Sequence, residues 1–245
     1  MTVIDVEGVS KAFHFPSVRR DTIREHMLGV LRRRRFQRLQ VLDRVSFSVR
    51  RGEALGIMGR NGSGKSTLLK IVTGVYKPDA GRVRANAPIT AVLELGVGWN
   101  PELDAVDNVL LVGSVMGLTL AEIRRRLDEI LAFAELEQFA HLKLKHYSTG
   151  MAARLGYSVA FAAVSDVLLL DEVLAVGDAA FRTRCEARYQ ELRALGHTAI
   201  VVSHDPRTIA TFCDRALLIE KGHILLEGSP RDVADGYFSM MADPA

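Results

Sequence analysis

The sequence predicts a layered α/β fold with a helical subdomain. Short apolar runs typical of buried strands alternate with helical segments along most of the 245 residues. Within this alternation, a strand at Glu53–Met58, a glycine-rich loop and a helix at Ser66–Val72 follow one another directly. The segment from about Asp104 to Glu137 looks almost wholly helical and forms the predicted subdomain. With 48% hydrophobic residues, the chain can bury the core of one large domain.

The first half of the chain supplies strands on either side of that loop. Alternating residues predict strands at Thr2–Val9 and Val41–Val49. Lys77-Pro-Asp-Ala-Gly81 predicts a turn, and Ile89–Leu93 predicts a further strand. Glu94–Leu103, which contains the only tryptophan, reads as a glycine-rich loop.

The second half continues the alternation of helices and strands. A helix rich in small residues is followed by a buried strand and an amphipathic helix, then by two strands, a hairpin turn and a C-terminal helix. The predicted bounds are Ser148–Val164, Asp166–Leu170, Ala179–Leu195, Thr198–Val202, Arg215–Glu220 and the turn Lys221–His223.

The glycine-rich loop is a complete phosphate-binding loop, Gly-Arg-Asn-Gly-Ser-Gly-Lys-Ser. Its glycines let backbone N–H groups converge on a polyphosphate at a helix N-terminus. The lysine can reach the β- and γ-phosphates, and the serine hydroxyl is placed for Mg²⁺. The sequence therefore predicts a nucleoside triphosphate site formed by Gly59, Arg60, Asn61, Gly62, Ser63, Gly64, Lys65, Ser66 and Thr67.

Polar residues follow two other predicted strands. The run Val167–Leu170 ends in Asp171 and Glu172, and His204 follows the strand Thr198–Val202. The first carboxylate can hold Mg²⁺, and the second can orient or deprotonate an attacking water. Because ligands of open α/β sheets bind at the carboxyl ends of the strands, we expect these groups beside the phosphate loop.

A basic insertion is predicted at residues 16–40. This segment holds eight arginines and only two acidic residues, an excess of +6 in a chain whose net charge is +3. Apolar residues at helical spacing predict a short amphipathic helix. Its arginines suit an anionic surface or polymer, such as the anionic face of a membrane, and a solvated basic helix or a nucleic-acid contact are the alternatives.

Composition excludes several classes of protein. No run of 18 apolar residues is present, so no membrane-spanning helix is predicted, and the N-terminal sequence has no secretory pattern. Cys185 and Cys213 are the only cysteines and have no metal-ligand spacing. We expect structural thiols and a cytosolic protein.

The order of these motifs resembles that of ATP-binding-cassette (ABC) ATPases. Tyr147-Ser-Thr-Gly-Met151 stands where that family has its Leu-Ser-Gly-Gly-Gln signature, between the phosphate loop and Leu170-Asp-Glu172. The resemblance implies a P-loop NTPase fold of the ABC type: a RecA-like core, an antiparallel β subdomain, and a helical subdomain at about residues 94–164. It also implies ATP and Mg²⁺ as ligands.

The resemblance further implies a homodimer that sandwiches two ATP molecules. Ser148 and Gly150 would then face the γ-phosphate of the partner's ATP, as a hydroxyl and a bare N–H at a helix N-terminus can. By the same resemblance Glu172 is the catalytic carboxylate, Asp171 supports the metal and His204 contacts the γ-phosphate. Asp178 would link the two sites across the dimer.

Two further residues are assigned by resemblance. ABC ATPases stack the adenine on an aromatic ring between the first two strands, where both Phe13 and Phe15 fit; Phe13 is preferred by its distance from the first strand. Most of them also carry a metal-contacting glutamine after the strand at Ile89–Leu93. Here Glu94 is the nearest polar residue, so it is the candidate metal ligand.

Together with the loop at Leu93–Leu103 and the run Asp171–Asp178, these motifs look like the ABC subgroup that exports O-antigen, capsule or teichoic acid. That subgroup pairs with a membrane-spanning permease at the cytoplasmic face of the inner membrane and moves lipid-linked polysaccharide. We expect no C-terminal carbohydrate-binding domain, since the chain stops after one helix. The alternatives are an ABC ATPase acting on nucleic acid or ribosomes, and an importer ATPase. Nucleic acid is disfavoured because aromatic residues do not interleave with the arginines.

Overall fold

The computed structural model describes residues 1–16, 36–92, 98–171 and 178–242. Two sheets organise this part of the chain. The smaller sheet has the order β2-β1-β4 and is antiparallel; its strands are β1 (Thr2–Pro16), β2 (Phe36–Arg50) and β4 (Ala80–Ala85).

The larger sheet has six strands in the order β5-β6-β7-β3-β8-β9. The first five are parallel, and β9 pairs antiparallel with β8 at the edge. The strands are β3 (Ala54–Met58), β5 (Ile89–Val92), β6 (Val167–Asp171), β7 (Thr198–Val202), β8 (Arg215–Glu220) and β9 (His223–Gly228).

Seven α-helices accompany these sheets in the described ranges. They are α1 (Lys65–Val72), α2 (Ala105–Val115), α3 (Leu120–Ala134), α4 (Thr149–Ala162), α5 (Ala179–Ala194), α6 (Pro206–Phe212) and α7 (Pro230–Ala242). The predicted α/β class is therefore confirmed, as are the antiparallel subdomain and the helical subdomain.

The parallel strands are apolar on both faces, and each face packs against a different layer. One face packs on α1 and the antiparallel sheet, through residues such as Ile57 and Ile200. The other packs on α4–α7, through residues such as Leu168 and Val201. A parallel sheet covered on both sides explains why these strands read as continuous hydrophobic runs.

The helical subdomain has its own core, formed by α2, α3 and one face of α4. The predicted run Asp104–Glu137 is two helices, because Gly117 takes a left-handed conformation (φ 95°) between them. Asp104 caps the first helix and Thr119 forms a capping box with Glu122 at the second. Helix α4 is shared with the main core and joins the two units.

Strand β4 was missed, since residues 77–81 predict only a turn. Nearly all of its residues are exposed, so it has no apolar alternation. It forms because it pairs with β1, where Glu7 forms ion pairs with Arg82 and Arg84. Helix α6 was also missed; it is short, begins with Pro206 and is capped by Asp205.

The ends of the predicted insertion 16–40 are strand. Residues 36–40 belong to β2 and pair with residues 12–16 of β1. The predicted amphipathic helix falls in residues 17–35, outside the described residues. Where the structure describes the chain, it contains no helix with the length and hydropathy needed to cross a bilayer.

The two cysteines are in the main core, as expected for structural thiols. Cys185 is buried and Cys213 is half-buried. Burial raises the pKa of each thiol to about 12.

Candidate nucleotide site

The phosphate loop lies at the carboxyl end of β3, between β8 and β2. A Cβ atom on Gly59 would lie 2.1 Å from the carbonyl oxygen of Ile219 at the end of β8. A Cβ atom on Gly64, whose φ is 107°, would lie 2.8 Å from the carbonyl oxygen of Val41 in β2. Both glycines are therefore needed for close packing, in addition to the freedom they give the loop.

Donor groups gather at this loop. Gly64 is the N-cap of α1, and no side chain in the described part of the structure caps the helix, so its first N–H groups point to the loop. The Lys65 ammonium is buried and donates to the carbonyl oxygens of Gly59 (2.8 Å) and Arg60 (3.0 Å). The Ser63 hydroxyl is buried without a hydrogen-bond partner among the described residues. A ring of donors at a helix N-terminus fits a polyphosphate.

The remaining loop residues are more open. Arg60, Asn61, Gly62 and Ser66 are exposed, and Thr67 is half-buried. The Ser66 hydroxyl thus lies at the solvent side of the first turn of α1, where a hydrated cation can reach it.

Three neighbouring parallel strands end together beside this loop. Ile57, Val202 and Asp171 are register partners on β3, β7 and β6. Adjacent strands are about 5 Å apart, so the three ends lie within roughly 10 Å. Gly59 follows Ile57 by two residues, and His204, which is exposed, follows Val202 by two. The predicted convergence of the phosphate loop, Asp171 and His204 at one edge is thus observed.

Two predicted site residues cannot be placed. Glu172 and Glu94 lie in the ranges 172–177 and 93–97, outside the described residues, so their roles stay predictions. Ser66 and Asp171 are the described candidates for a Mg²⁺ site, and both offer the oxygen ligands that this ion prefers. The described residues contain no cluster of three or more metal-ligating side chains.

The predicted signature turn begins α4. The Ser148 hydroxyl accepts a hydrogen bond from the Met151 N–H (3.1 Å) and caps the helix. Ser148 and Gly150 are both exposed, and a Cβ atom on Gly150 would meet only the Ser148 hydroxyl, at 3.8 Å. Packing within the chain therefore does not require glycine at position 150.

The Asp178 carboxylate contacts the start of α5 and an arginine of α4. It caps α5 by accepting from the Phe181 N–H (2.9 Å) and forms an ion pair with Arg154 of α4. Hydrogen bonds from the Phe181 backbone and from Arg154 lower its pKa.

The two candidate aromatic residues differ in their surroundings. The Phe13 ring is half-buried and meets Tyr76 edge to face, with centroids 5.7 Å apart. Phe13 is the register partner of Leu39, two residues from Val41 at the phosphate loop, whereas Phe15 partners Gln37 and is 48% exposed. At about 3.4 Å per residue, Phe13 is the nearer of the two rings to the loop.

One positioning residue was missed from the sequence. Asn108 is fully buried in α2, and its side-chain amide donates to the carbonyl oxygens of Asn100 (3.0 Å) and Asp104 (2.8 Å) and accepts from the Asn100 N–H (2.8 Å). It holds the loop that contains half-buried Trp99. The available signal was an amide in an apolar helix four residues after the N-cap.

Comparison with known proteins identifies the type of domain. The fold and the loop define a P-loop nucleotide-binding α/β domain. The dimeric post-hydrolysis structure of the ATP-binding cassette MJ0796 bound to ADP and Pi matches with a TM-score of 0.74 and 25% identity, over 93% of this chain and 99% of that one. The family model described as ABC transporter matches residues 42–175. This chain therefore belongs to the ABC transporter family, and the predicted resemblance is confirmed.

Two curated relatives align over more of the chain than the family model does. The ABC transporter protein AbcA of Aeromonas salmonicida is 42% identical over 202 residues, which cover 82% of this chain and 66% of that protein. The O-antigen export system ATP-binding protein RfbB of Myxococcus xanthus is 37% identical over 243 residues, which cover 97% and 56%. The chain thus spans two thirds or less of the length of these relatives.

Proposed function

We propose that this chain is the ATP-hydrolysing subunit of an ABC exporter that moves a lipid-linked polysaccharide across the cytoplasmic membrane. The observation that carries the proposal is the meeting of the phosphate loop, Asp171 and His204 at one edge of the parallel sheet. The relative named for O-antigen export, aligned over 97% of this chain, supports the polysaccharide as the class of substrate.

In this proposal the loop 59–67 binds the ATP phosphates, with the Lys65 ammonium turning from the Gly59 and Arg60 carbonyls to the β- and γ-phosphates. Mg²⁺, held by Ser66 and Asp171, would neutralise charge on the phosphates. Phe13 is the proposed adenine platform because its register places it nearer the loop than Phe15.

The hydrolytic step is assigned to Glu172 and His204. Glu172 follows Asp171 directly and would orient and deprotonate the attacking water. His204 would donate to the γ-phosphate as negative charge moves onto its oxygens. Phosphoryl transfer needs mainly positioning and charge stabilisation, which groups fixed at strand ends supply.

A second copy of the chain would complete the site. The signature turn Ser148–Gly150 is exposed, offers N–H groups at a helix N-terminus, and has room that its own chain does not fill. In a head-to-tail dimer this turn would bind the γ-phosphate held by the partner, so hydrolysis would be tied to closure of the dimer.

The proposed partners follow from the exporter function. A membrane-spanning permease would hold the dimer at the cytoplasmic face of the inner membrane. Separately, Glu94 is proposed as a further ligand of the Mg²⁺ ion. The basic segment 16–40 would contact the permease, the anionic leaflet or the pyrophosphate of the lipid-linked polymer. Action on nucleic acid is the competing function, and it predicts stimulation of the ATPase by RNA.

Reconstitution tests the proposal. The chain and a candidate permease in proteoliposomes should hydrolyse ATP and translocate lipid-linked polysaccharide, and Lys65→Ala should abolish both. Stimulation of hydrolysis by RNA with no transport would favour the nucleic-acid function. Absence of ATP hydrolysis from the wild-type chain would refute the proposal.

A further inference from the structure

A cluster of four charged side chains joins the helical subdomain to the main core. We call it the junction cluster; its members are Glu135, Arg154, Asp178 and Arg184. Arg154 pairs with Glu135 through one guanidinium nitrogen and with Asp178 through the other. The second arginine pairs with the free oxygen of Glu135. The cluster thus connects the end of α3, the middle of α4 and the start of α5.

The guanidinium group of each of the two arginines lies over an aromatic ring. The Arg154 guanidinium lies 5.1 Å from the centroid of Phe181, and that of Arg184 lies 6.0 Å from the centroid of Phe133. The two rings meet edge to face with centroids 5.8 Å apart. Arg154 is only 18% exposed, so its stacked guanidinium is shielded from water on one face.

The backbone conformation of Glu135 is a second, independent observation that its side chain has a specific role. This residue ends α3 with φ at 59°, a left-handed conformation that glycine or asparagine usually takes at helix ends. A carboxylate at this position accepts backbone strain and directs its two oxygens to two different arginines.

The cluster is linked along the chain to two parts of the proposed site. Arg154 follows Ser148 by six residues on α4, about 9 Å along the helix axis. Its other partner, Asp178, begins α5 and is seven residues after Asp171 at the end of β6. A single planar side chain therefore connects α4 to the start of α5, the next described element after β6.

We propose that Arg154 is a positioning residue, which sets the direction of the signature turn relative to the strand edge by bridging Glu135 and Asp178. The inference rests on the proposed dimeric ATPase. In that dimer a change in the direction of α4 would displace Ser148 and Gly150 from the partner's γ-phosphate. The Arg154 guanidinium pairs with Glu135 and Asp178, and neither partner belongs to the phosphate loop.

Kinetics test the positioning role. Arg154→Met keeps an apolar side chain over Phe181 but removes both ion pairs. We expect kcat to fall roughly 10- to 100-fold, because small displacements of reacting groups have effects of that size. The KM for ATP and the affinity of the isolated chain for a fluorescent ATP analogue should change less than about twofold, since Lys65 is untouched.

Two further variants make the result specific. Arg154→Lys keeps a charge that can reach one carboxylate and should recover part of kcat. Arg188→Met is the matched control, because it removes an arginine that pairs with Glu191 on the surface of α5 and should leave kcat unchanged. If Glu135→Gln acts through the same bridge, the double variant with Arg154→Met should be no slower than the slower single variant.

A distance measurement separates this inference from the proposed function. Spin labels at Glu129→Cys on α3 and Arg231→Cys on α7 occupy exposed positions on the two units. Without nucleotide, Arg154→Met should broaden the distance distribution between the labels, and Arg188→Met should not.

The outcomes are distinct. An unchanged distribution together with an unchanged kcat would overturn the positioning role. A loss of kcat accompanied by equal losses of ATP affinity and thermal stability would also overturn it, since it would show only a folding defect. A wild-type chain that hydrolyses no ATP refutes the proposed function, whereas the label distances still decide whether Arg154 fixes α4.

Discussion

The phosphate loop and the junction cluster form in different ways. The loop is eight consecutive residues that act mainly through backbone groups. Two of its glycines leave space next to carbonyl oxygens of β8 and β2 that a side chain would fill. The junction cluster is built by side chains at positions 135, 154, 178 and 184, which only folding brings together. A site made of contiguous backbone leaves a motif in the sequence, and a site made of distant side chains does not.

The largest expected effect is at Glu172, which follows Asp171 directly in the sequence. Glu172→Gln keeps the size of the side chain but removes the proposed base, so kcat should fall by about 10²- to 10⁴-fold. ATP binding should persist, and an ATP-bound dimer should accumulate on size-exclusion chromatography. Hydrolysis at the wild-type rate would remove Glu172 from the assigned role.

The next effect concerns the aromatic support of the junction cluster. Phe181 is 1% exposed and contacts Phe133, Tyr157 and the Arg154 guanidinium. Phe181→Ala should lower the free energy of unfolding by about 3–5 kcal/mol, measured by urea denaturation. Phe238→Ala is the control, because Phe238 is 59% exposed, and it should cost far less. Equal effects of both changes would contradict the packing described for α5.

Gly59→Ala tests whether the loop depends on close backbone approach. The new Cβ atom would collide with the Ile219 carbonyl, and overpacking of this kind costs about 1–3 kcal/mol. We expect weaker ATP binding by isothermal titration calorimetry.

Gly74→Ala is the matched control for that change. Gly74 also has a positive φ, 78°, but a Cβ atom there has no described neighbour within 4 Å. It should cost some stability through backbone strain and leave ATP affinity unchanged. Equal losses of affinity would show that conformational freedom, rather than close packing, explains Gly59.

Ser148→Ala separates helix capping from a role in the dimer. Loss of the N-cap should lower stability by about 1 kcal/mol. Thr119→Ala removes the N-cap of α3 at a similar cost. Only the Ser148 variant should lose ATP hydrolysis. If both variants hydrolyse ATP at the same rate, Ser148 acts only as a helix cap.

The smallest expected effect is spectroscopic. Trp99 is half-buried against the helical subdomain, in a loop that Asn108 holds and that follows residues 93–97 in the sequence. Its fluorescence should change modestly when Mg-ATP is added, and the change should disappear in Lys65→Ala. Unchanged Trp99 fluorescence on addition of Mg-ATP to the wild-type chain would show that nucleotide binding does not alter the surroundings of this loop.

Much of the fold and part of the site were predictable because their signals are local. Apolar runs predicted the parallel strands, and the motif at 59–66 predicted the loop at the end of β3. The ends of β6 and β7 were placed correctly because carboxyl ends of parallel strands meet at one edge. Strand β4 was missed because its pairing with β1 replaces the hydrophobic pattern that a sequence can show.

The sequence by itself determined the α/β class, the phosphate loop and the polar residues at the strand ends, since each depends on residues close together in the chain. Tertiary folding decided the rest: the pairing of Asp178 with Arg154, the left-handed Glu135 that joins two arginines, and the buried Asn108 that holds its loop. These contacts join residues that are far apart in sequence or depend on burial. In the sequence these charged and amide side chains cannot be told from solvent-exposed ones. Packing removes water from them and gives each one set of partners.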